Sequence, residues 1–164
     1  MVDAELAQEQ TKPESQKKPF MPPRWFVYSA WKFHRAYFRV TGGRRGLWPP
    51  KPGAWGTMRL TVPGRKSGKI RQVILGYYED GPNFVTLAMN GWGYPEPAWW
   101  LNLQAHPDAT LELRGRTVAV HGRAATGEER ERLWAKWRDY NKDFDAYTAL
   151  RPRETAVVVL EPVA

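Results

Sequence analysis

The sequence predicts an α+β domain: a closed or partly open, mainly antiparallel β-barrel with one helix before it, a short one in its middle and one near its end. Three observations lead there. Six segments either alternate apolar and polar residues or run apolar for a strand's length, with turn-forming residues between them. Three others repeat apolar residues at helical spacing. The 164 residues show no internal repeat and match one ordinary domain with a single core. Short strands in this number close readily into a barrel.

Residues 1–23 are rich in Gln, Glu, Lys and Pro and offer little to bury, the composition of a disordered or loosely attached arm; residues 24–164 form the domain. Over residues 25–40, Phe26, Ala30, Phe33 and Tyr37 share one helical face while Lys32, Arg35 and Arg39 line another. Residues 41–43 stop that helix, and the Pro- and Gly-rich stretch 44–55 is a loop. From Gly56, Met58, Leu60 and Val62 alternate with Thr57, Arg59 and Thr61, a strand that ends in the turn PGRKSG. A second strand, 70–78, turns at Asp80-Gly81 into a third, 84–89. After a loop over 90–96, Pro97 opens a short helix that Pro107 ends. Strands 109–114 and 117–124 meet at Gly115-Arg116. Thr126 with Glu129 forms a capping pair for a helix whose single face carries Leu133, Trp137, Tyr140, Phe144 and Tyr147. The apolar run 155–160 suits an internal strand.

Composition removes several chemistries. Cysteine is absent, which excludes thiolate nucleophiles, Cys-ligated zinc, iron–sulfur clusters and disulfides. His34, His106 and His121 are scattered, so a His-rich metal site is not expected. No apolar run reaches the ~18 residues of a membrane span, and the start lacks the pattern of a secretory signal, so a cytoplasmic location is expected. Nine Trp, seven Tyr and six Phe are more ring surface than a modest core needs, so some of it should meet a ligand, a lipid or a partner. The net charge of +8 is unevenly spread: residues 15–78 hold 14 Lys/Arg and no Asp or Glu, while both flanks are net acidic. That middle block is suited to receive negative charge.

Four segments carry candidate chemistry. GRKSGKIR, residues 64–71, sets four bases and a Ser between two strands, either as a phosphate cradle or as a solvated turn that discourages edge pairing. It lacks P-loop spacing, and a strand follows it. Residues 88–103, AMNGWGYPEPAWWLNL, join a strand end to a short helix. Backbone N–H groups near Gly91 and Gly93 suit ring carbonyls, and Trp99 or Trp100 is a stacking wall or a core residue. The first half of the stripe from Leu133 to Tyr147 reads as core, while Phe144 and Tyr147, beside Asn141 and Asp145, suit the lip of a substrate cavity. Tyr147 is the candidate proton donor. The helix over 24–40 mixes Trp25, Trp31 and Phe38 with bases, so it either packs on the barrel or lies on an anionic membrane surface.

GRKSGKIR, YYEDGPNFVTLA, NGWGYPEPAWWLNLQAHP and the closing VVVLEP follow one another as in one family. From Gly56 to Pro162 the chain resembles the deazaflavin-dependent nitroreductases, the F420H2-dependent quinone reductases of actinobacteria. The resemblance implies a split β-barrel of the FMN-binding type and coenzyme F420 as cofactor, a flavin-like ring with a phospholactyl and polyglutamate tail. It places Arg65, Lys66, Ser67, Gly68 and Arg71 on the phosphate, and Val73 and Ile74 along the ring. Ala88, Met89 and Asn90 then bracket the ring's other side, with Ala98, Trp99 and Trp100 as a wall. Tyr140, Asn141, Phe144 and Tyr147 fall at the substrate. The implied reaction passes a hydride to a quinone such as menaquinone or to an activated alkene, with nitroaromatics last. Met89-Asn90 replaces a Ser-Lys pair, Gly91-Trp92-Gly93 a Gly-Gly, Asn141 and Phe144 two tyrosines, and Ile74 a proline; these departures touch the acceptor end more than the phosphate end.

Three alternatives stay open: an FMN-binding oxidoreductase of the same fold, a nucleic-acid or membrane-surface binding module, and a cofactor carrier without turnover. Nucleic acid ranks behind a small hydrophobic acceptor as the expected partner, with a monomer or homodimer as the expected assembly.

Overall fold

A computed structural model describes residues 46–93, 95–141 and 143–163, together with positions 23, 25, 26, 29, 32, 33 and 36. The expected arm and much of the expected first helix lie outside the described residues; positions 25, 26, 29, 32, 33 and 36 are helical and exposed.

Six strands form a closed barrel: β1 (Gly56–Pro63), β2 (Ile70–Asp80), β3 (Asn83–Leu87), β4 (Asp108–Leu113), β5 (Arg116–Ala124) and β6 (Val157–Pro162), in spatial order β1-β2-β3-β6-β5-β4. Every neighbouring pair is antiparallel, and β1 on β4 completes the ring. The α+β barrel read from alternation is therefore the observed architecture. At the β2–β3 hairpin Asp80 pairs with Asn83, and Gly81 takes a φ of +60°, the left-handed conformation a II′ turn needs at its first central residue.

Two cores share the barrel wall. Inside lie Met58, Leu60, Val62, Leu75, Tyr77, Phe84, Leu111, Val120, Val158 and Leu160. The helix α1 (Ala98–Ala105) adds Trp99, Trp100 and Leu103 to this cluster and packs against β1, β2 and β5. Its approach to β5 depends on Gly122, where an added Cβ would sit 2.5 Å from Leu103 Cδ2. Outside, α2 (Gly127–Tyr140) and α3 (Phe144–Thr148) cover Tyr78, Val85, Leu87, Val157 and Val159 with Leu133, Trp134, Trp137 and Phe144. The VVVL run is explained by this arrangement: β6 lies between β3 and β5 with alternate residues buried on both faces.

The structure corrects two local expectations. The last helix is not continuous: Asn141 takes extended backbone (φ −155°, ψ 113°) and its Oδ1 accepts the Asp143 N–H at 2.9 Å, an Asx turn that restarts the chain as α3. The Thr126–Glu129 capping pair does not form either. Thr126 makes no side-chain capping bond. The Glu129 carboxylate is instead gripped by the Arg123 guanidinium at 2.6 and 2.8 Å, a charge-assisted fork stronger than a bond to a neutral N–H.

Candidate functional site

The loop between β1 and β2 is a tight, exposed turn. The Gly64 N–H donates to the Lys69 carbonyl at 2.9 Å and the Gly68 N–H to the Gly64 carbonyl at 2.8 Å, with Gly68 at a φ of +65°. Arg65 docks it on α1: its backbone N–H and its guanidinium both donate to Asn102 Oδ1 at 3.2 Å. Asn102 is buried, a role the sequence reading missed; its signal was one amide in the otherwise apolar helical run WWLNL.

Most described arginines away from this turn are paired. Arg59, Arg116, Arg123, Arg130, Arg132, Arg138 and Arg151 each meet a carboxylate. Among the described residues, no carboxylate pairs with Arg65, Lys66, Lys69 or Arg71, all of them exposed on or beside the turn. Four uncompensated cations with a Ser hydroxyl between them form a donor set suited to a phosphate or a polycarboxylate. Among the described residues, no group of His, Cys, Asp and Glu is placed to hold a metal ion.

Beyond the turn, β2 sends alternate side chains to opposite faces. Val73 packs towards the barrel interior, whereas Ile74, one residue on, lies half-buried on the other face with Gly76 and Tyr78. Only one of the two residues expected along a ring therefore faces outward. Trp55 covers Gly76: an added Cβ would sit 3.2 Å from Trp55 Cδ1. Its indole lies 6.1 Å from Trp137 and 6.2 Å from Tyr140, edge-on to the phenol. Burial, with Asp139 adding, raises the Tyr140 pKa and keeps the phenol protonated at neutral pH.

The loop after β3 approaches the same side of the barrel. Ala88 is buried, and Met89 and Asn90 are half-buried. Asn90, Gly91 and Trp92 then follow with φ of +46°, +59° and +62°, and the Trp92 indole stacks on Tyr147 at 5.9 Å and meets Phe144 edge-on at 5.0 Å. Met89, Trp92 and Tyr140 all pack against the outer core.

The structure thus brings Met89, Tyr140, Phe144 and Tyr147 together and adds Trp92 and Trp55, which the sequence reading left in loops. Phe144 is core, buried against Trp134 and Trp137, not the lip of a cavity. Asn141 serves as the turn between α2 and α3, its carbonyl accepting the Phe144 N–H at 3.1 Å. Trp99 and Trp100 are both buried in the barrel interior, and Ala98 is exposed.

The sequence pattern of one family, the F420H(2)-dependent quinone reductases, matches residues 31–162. The chain belongs to that family. A relative from Mycobacterium tuberculosis H37Rv, named as an F420H(2)-dependent quinone reductase, is 31% identical over 106 residues, covering 65% of this chain and 89% of its own. A second protein of that strain, named as an F420H(2)-dependent quinone reductase, is 29% identical over 132 residues, 79% of this chain and 87% of the relative. Among solved structures, an F420-H2-dependent reductase (FDR-A) superposes with a TM-score of 0.58 at 26% identity, covering 64% of this chain and 93% of that one. Another, described as a domain-swapped dimer, gives 0.62 at 25% identity over 85% of this chain and all of that one.

Proposed function

We propose that this quinone reductase family member binds coenzyme F420 along the outer face of β2 and uses its reduced form to reduce a flat, electron-poor, hydrophobic acceptor, menaquinone-like quinones first. The observation that carries the reading is the unpaired basic turn, because the cofactor's phosphate and polyglutamate tail is a string of anions. When bound, the reduced deazaflavin ring supplies the hydride. Arg65, Lys66, Ser67 and Arg71 would hold the phosphate, and the docking of Arg65 on Asn102 keeps the turn from swinging away. Ile74 would face one side of the ring, and Met89 and Asn90 would face the other. Trp55, Tyr140 and Trp92 supply apolar walls that exclude water from a flat acceptor. The phenol of Tyr147 is the donor that completes the reduction with a proton.

Two measurements test this. Oxidised F420 fluorescence should change on titration with the protein and resist competition by FMN; anaerobic mixing of reduced F420 with a panel of quinones, activated alkenes and nitroaromatics should show quinones turned over fastest. Retention of FMN in preference to F420 would move the chain to flavin chemistry. Binding of F420 without oxidation by any acceptor would make it a carrier.

We also infer work at the inner face of the cell membrane, through residues 24–40. Trp25, Phe26 and Phe33 are 69%, 54% and 76% exposed, a set of rings suited to an interface. Co-flotation with anionic vesicles that is lost in Trp25→Ala/Phe33→Ala supports that contact, and equal flotation of both proteins overturns it.

A further inference from the structure

We infer that Arg151 is a positioning residue that sets the conformation of the loop from Ala88 to Glu96; its bearing on catalysis rests on the proposed placement of that loop against the cofactor ring. The Arg151 side chain is 1% exposed. Its Nη1 donates to the Ala88 carbonyl at 2.7 Å and to Thr155 Oγ1 at 2.8 Å, while Nη2 donates to Glu96 Oε1 at 3.1 Å. One guanidinium therefore holds both ends of the loop. The Ala88 N–H donates to the Ala156 carbonyl at 3.0 Å, so Ala88 is tied both to Arg151 and to the segment that follows it.

The chain between these anchors needs holding. Asn90, Gly91 and Trp92 all have positive φ, a conformation that disfavours side chains with a Cβ and is least tolerated by a large ring such as Trp92. Such backbone persists only where its surroundings over-determine it. Asn90 Nδ2 donates to the Pro95 carbonyl at 2.7 Å inside the loop, and Trp92 leans on Phe144 and Tyr147 just ahead of Arg151. The fork ties this loop at both ends to the chain around Arg151. Glu96 Oε2 is buried without a hydrogen-bond partner, so the carboxylate depends on Arg151 for its countercharge. Lysine carries its charge on one nitrogen and lacks the planar fork that reaches carbonyl and carboxylate at once.

Two variants test the assignment. Arg151→Met with Glu96→Met removes both charges together, which avoids stranding either one in the interior; Arg151→Lys keeps the charge and loses the fork. Each is compared with the wild type by thermal melting, by hydrogen exchange at the Trp92 and Gly93 amides, which donate within the strained turn, and by steady-state oxidation of reduced F420 with a soluble quinone. Both variants should melt as folded proteins, exchange those two amides at least about tenfold faster, and lose roughly tenfold in kcat, with binding at the exposed basic turn changed less than about twofold. Exchange and kcat within about twofold of wild type in the folded variants would overturn the inference. If the wild-type protein fails to bind F420, the functional reading falls, and the exchange measurement still decides whether Arg151 holds the loop.

Discussion

Replacing Lys66 and Arg71 together by alanine removes two of the four cations that lack a carboxylate partner at the β1–β2 turn. Both side chains are exposed and neither makes a hydrogen bond that holds the fold, so stability should stay within about 0.5 kcal/mol of wild type. Binding is a different matter. A charge-assisted hydrogen bond is worth about 1.5–3 kcal/mol, and solvent exposure places these two at the lower end. Their joint loss is therefore about 3 kcal/mol, or roughly 100- to 200-fold in Kd. The assay is fluorescence titration of oxidised F420 at two ionic strengths. Wild-type affinity should fall as salt shortens the screening length below about 10 Å, and the double variant should respond less, having fewer charges to screen. A Kd within about threefold of wild type, with the same salt response, would refute the anion-site reasoning.

Three further outcomes follow from the geometry. Gly122→Ala places a methyl group 2.5 Å from Leu103 Cδ2 and should cost about 1–3 kcal/mol, read as a fall in Tm of about 2–4 °C per kcal/mol; an unchanged melt would mean that α1 shifts freely on β5. Hydrogen bonds from Arg132 and Arg123 hold Asp80 and Glu129 below their ordinary pKa values of 3.8 and 4.5. Their contribution to stability is therefore complete above those values and lost as pH falls through the lower folded ones, so Asp80→Asn/Glu129→Gln should flatten the acid limb of a denaturation series; an identical limb would show that other carboxylates set it. Tyr147→Phe should lower kcat with a quinone by roughly 100-fold, the low end for a positioned proton donor, and leave F420 affinity unchanged; full activity would move the proton source to Tyr140 or solvent.

The barrel was legible because period-2 alternation in β1 and the hairpin signals around Gly81 and Gly115 depend only on neighbours along the chain. Where a partner outside the helix competed, local reading failed. Glu129 was expected to cap a helix, but Arg123 from β5 offered a stronger bond. The break after Tyr140 hides behind a helical apolar spacing that continues through Phe144 and Tyr147, because side-chain periodicity does not register one extended residue at Asn141.

The same contrast divides the site. The proposed phosphate end lies within eight consecutive residues, 64–71, so its charge is visible before any folding is known. The proposed acceptor end draws on Trp55 ahead of β1, Met89 and Trp92 after β3, and Tyr140 and Tyr147 on α2 and α3. In each of those segments an aromatic or apolar side chain is as consistent with core as with pocket, and Phe144 proved to be core while Tyr147, one turn along, stacks on Trp92. Arg151 and Asn102 were harder still, since an arginine beside a proline and an amide in a helix carry no periodic signal. Both became visible only when partners 63 and 37 residues away came within hydrogen-bonding distance. The residues that steady each end of this proposed site are thus the ones that sequence pattern is least able to mark, because their roles depend on contacts far along the chain.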